Sequence, residues 1–456
     1  MATQQFFSAG MVKKSLGRKL YGVPVLLQDW DTEADELSSK YWELFLDLLL
    51  VAASSAIADG FSANPTWMGL LEFASLYTVV VNGYMAYSPQ HTTRFEDASL
   101  LHSAVLFPYL LGISICTINA SFVTAANFCF GAWLQRVVLI FVLAAVYQHI
   151  ERARAFSVIV GIGLVLNAAI LAVGILFPQC SVVCIILVAI LESLLVYVQS
   201  PLLSRSQLVP INIEHTKDRL GCLVLVMLGE TVVAGTIQYR LVASHAVASI
   251  PRYYWTLGLS FLLIFAFTLL FFHMQPAPQD TGFHRSRIRG ILLFGTHKNL
   301  GMALLAVGVS ERLMVDAVVR GVPMSRAATV LTGMSVSLSI LLLLVIRILH
   351  YGIKGDGTFD SSRPLVQRIV SAWAAVYYIA VALAALLVLT DIRDPVWSAA
   401  VYSGIITSLC VIESSFTHVL EPYVMRRAPE TSTLDVAETE PLQTDLQTSE
   451  GYQSLS

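Results

Sequence analysis

The stretch "KYWELFLDLLLVAASSAIADG", residues 40–60, decides the fold. A run of about 20 mostly apolar residues is long enough to cross the hydrocarbon core of a bilayer. This one nevertheless carries Glu43, Asp47 and Asp59. An ionised Asp near the centre of a membrane helix costs roughly 2.5 to 3.5 kcal/mol on insertion scales, so such residues turn toward a packed interior, a partner or water. Some other part of the chain must receive these three carboxylates.

Runs of the same kind recur along the whole sequence. Of 456 residues, 56% are hydrophobic and 13% charged, the balance of a polytopic membrane protein. A membrane β-barrel would show segments of about 10 residues with alternating polarity. "ILLLLVIRIL" at 340–349 is continuously apolar, which excludes that class. The expected fold is all-α, a polytopic transmembrane helix bundle of twelve spans. The first six lie at roughly 41–60, 67–88, 98–118, 126–148, 155–177 and 181–199; the second six at roughly 219–237, 253–274, 291–312, 327–349, 366–390 and 395–419. This divides the chain into an N-terminal segment 1–40, a six-span half 41–200, a connection 201–218, a second six-span half 219–420 and a tail 421–456 that is acidic, rich in Ser and Thr, and expected to be disordered.

The net charge of −3 and the lack of any Lys/Arg block give no reason to expect a nucleic-acid partner. The six cysteines lie in or beside apolar runs without zinc-ligand spacing, so neither a metal nor another cofactor is expected. No apolar core of signal-peptide type occurs in the first 40 residues, and insertion should begin at the first span. With the N-terminus inside, most basic residues outside the spans fall on the inner side. Only Arg240, Arg252, Arg312, Arg320, Arg326 and Arg393 fall on the outer side, so the positive-inside rule places both termini in the cytosol. The two sets of six share a faint pattern: His102 and His297 occupy the third span of each, and "ILES" with Glu192 and "VIES" with Glu413 the sixth. A parallel repeat of six helices would produce such a pattern.

Four segments carry a resemblance to a known family. "ELFLDLLLV" resembles the ELFFDLxFV signature that opens proteins of the low-temperature-requirement A (LtrA) family, with Leu46 at the place of the second Phe. "TTRFEDASLLHS", with Arg94 and Asp97, is similar to that family's motif after span 2. "DRLGCLVLVMLGETVVA", with Gly229, is similar to its strongest internal motif, and "THKNLGMALLAVGVS", with Gly301 and Gly308, resembles its His-Gly span. The resemblance extends over roughly residues 40–420 and implies a multi-span integral membrane protein. It implies no particular activity, and fold kinship alone would not supply one.

The ionisable residues inside the spans are the candidate site. Glu43 and Asp47 are four apart and share a helix face, where like charges repel unless a cation intervenes; His102, Lys298 and Arg94 are the candidate cations. Arg136 has no short route to either surface and cannot lose its proton, so it needs a carboxylate. Glu192 and Glu230 are at matching depth, and both approaching Arg136 would leave one carboxyl free to carry a proton. Gly229 is expected to let a neighbouring backbone approach Glu230, and Thr231 to offer that carboxyl a hydrogen bond. His297 joins His102 as a candidate proton relay. The small residues Gly163, Asn167 and Gly174 share a face of span 5, and Gly301 and Gly308 one of span 9, where helices can pack closely. No nucleophile–base pair suggests an enzyme. The leading function is movement of a small solute or ion across the bilayer, with a proton link. The competing class is a non-transporting scaffold or sensor whose buried charges lock the helices.

Overall fold

A computed structural model describes residues 23–27, 41–96, 99–204, 207–242, 248–273, 275–276, 281–351 and 364–416. Asp97, the tail at 421–456 and most of the segment 1–40 lie outside these residues. In lipid a backbone N–H or C=O has no water to bond, so an apolar run satisfies its peptide groups internally as a helix. Twelve long helices result: α1 (Tyr41–Ala63), α2 (Trp67–Tyr87), α3 (Leu100–Ile118), α4 (Ala125–His149), α5 (Arg154–Leu176) and α6 (Ser181–Leu202), then α7 (Ile213–Val242), α8 (Ile250–His273), α9 (Arg287–Arg320), α10 (Arg326–Tyr351), α11 (Pro364–Leu386) and α12 (Pro395–Ser415). A single turn, Gly282–Arg285, precedes α9, and Val25–Leu26 pairs antiparallel with Phe95–Glu96.

Local chemistry sets several boundaries. Thr66 Oγ1 accepts from Gly69 N and Ser99 Oγ from His102 N, capping α2 and α3. Asp394 caps α12 through Val396 N and Trp397 N, with Pro395 at the first helical position. α9 ends at Gly321, whose φ of 68° is the left-handed conformation that glycine adopts without penalty. Asn212 Oδ1 accepts from His215 N at 2.9 Å, so α7 begins at 213 and the connection expected to reach 218 is shorter.

Among the described residues, nine of the twelve helices are long and apolar enough to cross a membrane by length and composition, and α2, α7 and α9 are not among those nine. The reason is position. Most of the side chains on α2 and α9 are buried, and a helix shielded from lipid need not be apolar all round. The polarity of the bundle is accordingly inverted relative to a water-soluble protein. Arg136, Arg219 and Arg347 are at most 2% exposed, whereas Leu48, Phe107, Phe141 and Ile162 each stand about two-thirds exposed on the outside. Lipid is the solvent that makes this distribution favourable.

The helix neighbours repeat. In the first half α1 packs on α2 and α3, α3 on α4, α4 on α5, α5 on α6, and α2 on α6. Adding six to each number gives contacts that are all present in the second half: α7 on α8 and α9, α9 on α10, α10 on α11, α11 on α12, and α8 on α12. The halves meet along α1 and α7, which run parallel in constant register. Glu43 meets His215 and Asp47 meets Arg219, each 172 residues apart, and Ser54 meets Met227 at a separation of 173.

Glycines set the closest approaches. A Cβ at Gly112 of α3 would lie 2.7 Å from the carbonyl oxygen of Gly131 on α4, and a Cβ at Gly131 would lie equally near the oxygen of Gly112. Both obstacles are backbone, so neither can move aside. Gly112→Val is expected to lower stability by about 1–3 kcal/mol, the usual cost of overpacking. Gly258→Ala, where nothing lies within 4 Å, should leave the thermal midpoint unchanged or raise it. Equal midpoints for the two variants would refute this crossing. Gly301 against Tyr77 and Gly308 against Thr231 place α9 on α2 and α7, as the shared glycine face suggested. Gly229 is a correction: nothing approaches it within 4 Å, so it opens no path for a neighbouring backbone.

Candidate functional site

The carboxylates of the opening stretch are received by α7 and α9. At the end of the bundle where α1 begins, Asp47 forms an ion pair with Arg219 and accepts from Tyr84 Oη at 2.8 Å. Arg219 also donates to Ser88 Oγ at 2.9 Å and to Tyr84 Oη at 3.0 Å. Glu43 Oε1 lies 3.2 Å from His215 Nε2. All four ionisable groups are buried. This corrects the expected cation, since His102, Lys298 and Arg94 all lie elsewhere. His102 Nε2 lies 3.3 Å from Tyr87 Oη, and Arg94 bonds the Gln90 carbonyl and stacks over Phe156 at 5.2 Å.

Arg136 and Glu192 do meet, at mid-depth. Arg136 Nε donates to Glu192 Oε1 at 2.9 Å and Nη2 to Oε2 at 2.8 Å, a bidentate fork that matches guanidinium to carboxylate. Nη2 also donates to the Val79 carbonyl at 2.6 Å, tying α4 to α2 as well as to α6. The guanidinium fits because Gly83 has no side chain; a Cβ there would lie 2.9 Å from Nη1.

Glu230 does not join them, which corrects the expectation that two carboxylates share Arg136. It faces Arg312 of α9, whose Nη2 is 3.7 Å from Glu230 Oε1, beyond hydrogen-bond distance. Arg312 instead pairs with Asp59, the third carboxylate of the opening stretch. The Thr231 hydroxyl donates to the Met227 carbonyl at 3.1 Å and not to Glu230. Neither carboxyl oxygen of Glu230 makes a well-formed hydrogen bond, the Ser55 hydroxyl being its nearby donor, and both oxygens of the buried Glu311 on α9 have no hydrogen-bond partner. An unpartnered buried carboxylate is costly as an anion, and a proton removes that charge.

Two ionic groups thus bracket the α1 seam. One, at its start, joins α1 to α7. The other, at its far end, joins α1 to α9 beside α7. A cavity with about 690 Å³ of empty space, its mouth included, lies among α2, α5, α6 and α9, reaching along α2 to the level of the Asp47–Arg219 group. Its polar lining includes Asn82, Asn167, Glu192, Ser193, Gln199 and Lys298. Lys298 Nζ donates to Ser193 Oγ at 2.9 Å. His297, the next residue toward the N-terminus, turns away: its Nδ1 carries the proton donated to the Leu293 carbonyl at 2.8 Å, and its ring meets Phe271 edge-on. Asp47, His102 and His297 therefore have separate surroundings.

A further pair was not anticipated from the sequence. Arg347 of α10 pairs with Glu413 of α12, and its guanidinium lies 3.6 Å from the centroid of the Trp373 ring. Glu413 Oε2 also accepts from Trp373 Nε1 at 2.7 Å and from Tyr377 Oη at 3.0 Å. Its counterpart in the first half, by helix number, is Arg136 of α4 with Glu192 of α6. Matching Arg-bearing fourth helices to Glu-bearing sixth helices was the available signal.

No curated protein and no solved structure matches this chain. The family model described as "Bacterial low temperature requirement A protein (LtrA)" matches residues 39–410, a stretch that contains both ionic groups, the cavity and most of the twelve helices, and the chain belongs to that family.

Proposed function

We propose that this protein carries a small solute across a bilayer along the seam between two six-helix halves, with a proton link and no covalent chemistry. The observation that supports it best is the cavity walled by α2, α5 and α6 of one half and α9 of the other, with Glu192 and Lys298 in its lining. A bundle held together only by buried charge has no need of such a space. In this reading all twelve helices cross, and the distribution of basic residues puts both termini in the cytosol. The repeated helix neighbours support two parallel halves, the arrangement in which carriers place a binding site near the midplane of the repeat interface.

The two ionic groups then act as gates. Access from the side where α1 begins requires Glu43–His215 and Asp47–Arg219 to part, and access from the other side requires Asp59–Arg312 to part. Once water enters, each exposed pair is worth only about 0–1 kcal/mol, so water compensates for most of the separation. Glu230, beside Arg312 and near the Ser55 hydroxyl, is the group that takes up or releases a proton as the far gate moves.

The test is flux in reconstituted vesicles under an imposed proton gradient, with a panel of small solutes. Wild type should move at least one of them in a pH-dependent way. Glu230→Gln keeps nearly the same shape and should leave the folded yield unchanged while abolishing the pH dependence. Folded wild-type protein that moves nothing would favour a scaffold. A Glu230→Gln variant with an unchanged pH profile would remove the proton role of that residue.

A further inference from the structure

The charges around the cavity do not balance. Both oxygens of Glu192 are engaged by Arg136, so one cation already matches its charge. Lys298 brings a second cation to the same space, within electrostatic reach of Glu192 but not in an ion pair with it. Among the described residues its ammonium has Ser193 Oγ as hydrogen-bond partner, and no carboxylate forms an ion pair with it. An ammonium has three donors, so two have no protein acceptor. Two amides face the same space with one end idle. Asn167 is 2% exposed, and its Oδ1 has no partner; the Nδ2 of Asn82 has none either. Such groups are normally satisfied when buried. Met85, Leu164 and Phe294 supply the apolar part of the wall.

A surplus cation with no ion-pair partner of its own, an idle amide donor and an idle amide acceptor within one partly apolar space specify complementary chemistry. We infer that the cavity binds a small free carboxylate that also carries a hydroxyl or amino donor, with the carboxylate on Lys298 and the donor on Asn167. This inference rests on the carrier reading only for its biological sense; the binding is a separate property. The hydrocarbon portion of the ligand meets Leu164 and Phe294. A cation would be repelled by Lys298, and an ordinary polyol would leave the ammonium without its counter-charge.

The measurement is thermal unfolding of the full chain in phosphatidylcholine nanodiscs, titrated with lactate, serine, propionate, choline and glycerol. Lactate and serine should raise the midpoint at lower concentration than propionate, and choline and glycerol should leave it unchanged. Lys298→Met should weaken lactate by about 10- to 100-fold, as expected for loss of a charge-assisted hydrogen bond, and Lys298→Arg should retain most of the response. Asn167→Leu should erase the preference for lactate over propionate, and it reads the site even where Lys298→Met fails to fold. Adding phosphatidylglycerol should leave the lactate response intact; a lipid that raises the midpoint by itself and abolishes the lactate response would assign the cavity to a headgroup and overturn the inference. Stabilisation by choline or glycerol in preference to lactate, or no response of folded wild type to either acid, would overturn it as well. Flux of cations without carboxylate binding leaves the carrier reading standing and refutes the carboxylate site. Lys298-dependent carboxylate binding without flux supports the carboxylate site and counts against the carrier.

Discussion

Arg136→Ala is expected to remove most of the folded protein. The side chain is fully buried and supplies both hydrogen bonds that hold the Glu192 carboxylate, so its loss leaves an uncompensated charge in a low-dielectric setting, at a cost of about 3–5 kcal/mol. It also frees the Val79 carbonyl that ties α2 to α4. Adding Glu192→Gln should recover part of the yield, because the abandoned charge disappears with it. Adding Glu230→Gln should recover none, because Glu230 faces Arg312. Monodisperse yield and the unfolding midpoint of the three proteins check the set. Rescue by Glu230→Gln in place of Glu192→Gln would mean that the pairing is misassigned.

Glu413→Ala should cost a similar amount. Arg347, Trp373 Nε1 and Tyr377 Oη all donate to that carboxylate, and the substitution strands the three of them together. Glu413→Gln keeps an acceptor and should be milder. Arg347→Lys should also be destabilising, since an ammonium cannot reproduce a planar guanidinium stacked on the Trp373 ring. Replacing both partners, as Arg347→Met with Glu413→Leu, should restore most of the stability, because a buried ion pair exchanged for well-packed apolar side chains is often neutral. If flux is present in wild type it should survive in that double variant, as neither residue lines the cavity. Loss of flux in a well-folded double variant would move this pair from architecture into the transport path.

The helices were legible because bilayer thickness imposes a length that a sequence cannot hide, and the expected spans fall on the twelve long helices to within a few residues at most ends. The largest departures are at α7 and α9, which extend well beyond the apolar windows that announced them. Their charged ends add no hydropathy signal. Depth was legible in part: counting residues from a span entry placed Arg136 beside Glu192 but wrongly put Glu230 at the same level. Azimuth was not. Glu230 faces α9 and lies farther along, beside Arg312 and Asp59, and nothing in a single sequence states which way a helix is rotated about its own axis. The cation for Asp47 was missed for a related reason. Arg219 is the first residue of the span expected at 219–237, where a charge is unremarkable, whereas the Asn212 cap starts α7 earlier and carries Arg219 inside. The duplication signal was weak because Arg136 and Arg347 lie at different heights in corresponding helices, which a fixed-offset comparison blurs.

The carrier reading requires that water and solute reach the cavity beside Arg136 and Glu192. Ser193, the acceptor of the Lys298 ammonium, lines it, and serine to cysteine is nearly isosteric. In protein with the six native cysteines replaced, Ser193→Cys should react with a small charged thiol reagent applied from one side of the vesicle and be protected by a bound carboxylate. A Ser193→Cys protein that is folded, reacts when denatured, and stays unmodified from both sides would mean that the cavity is sealed and the charges around it are architecture.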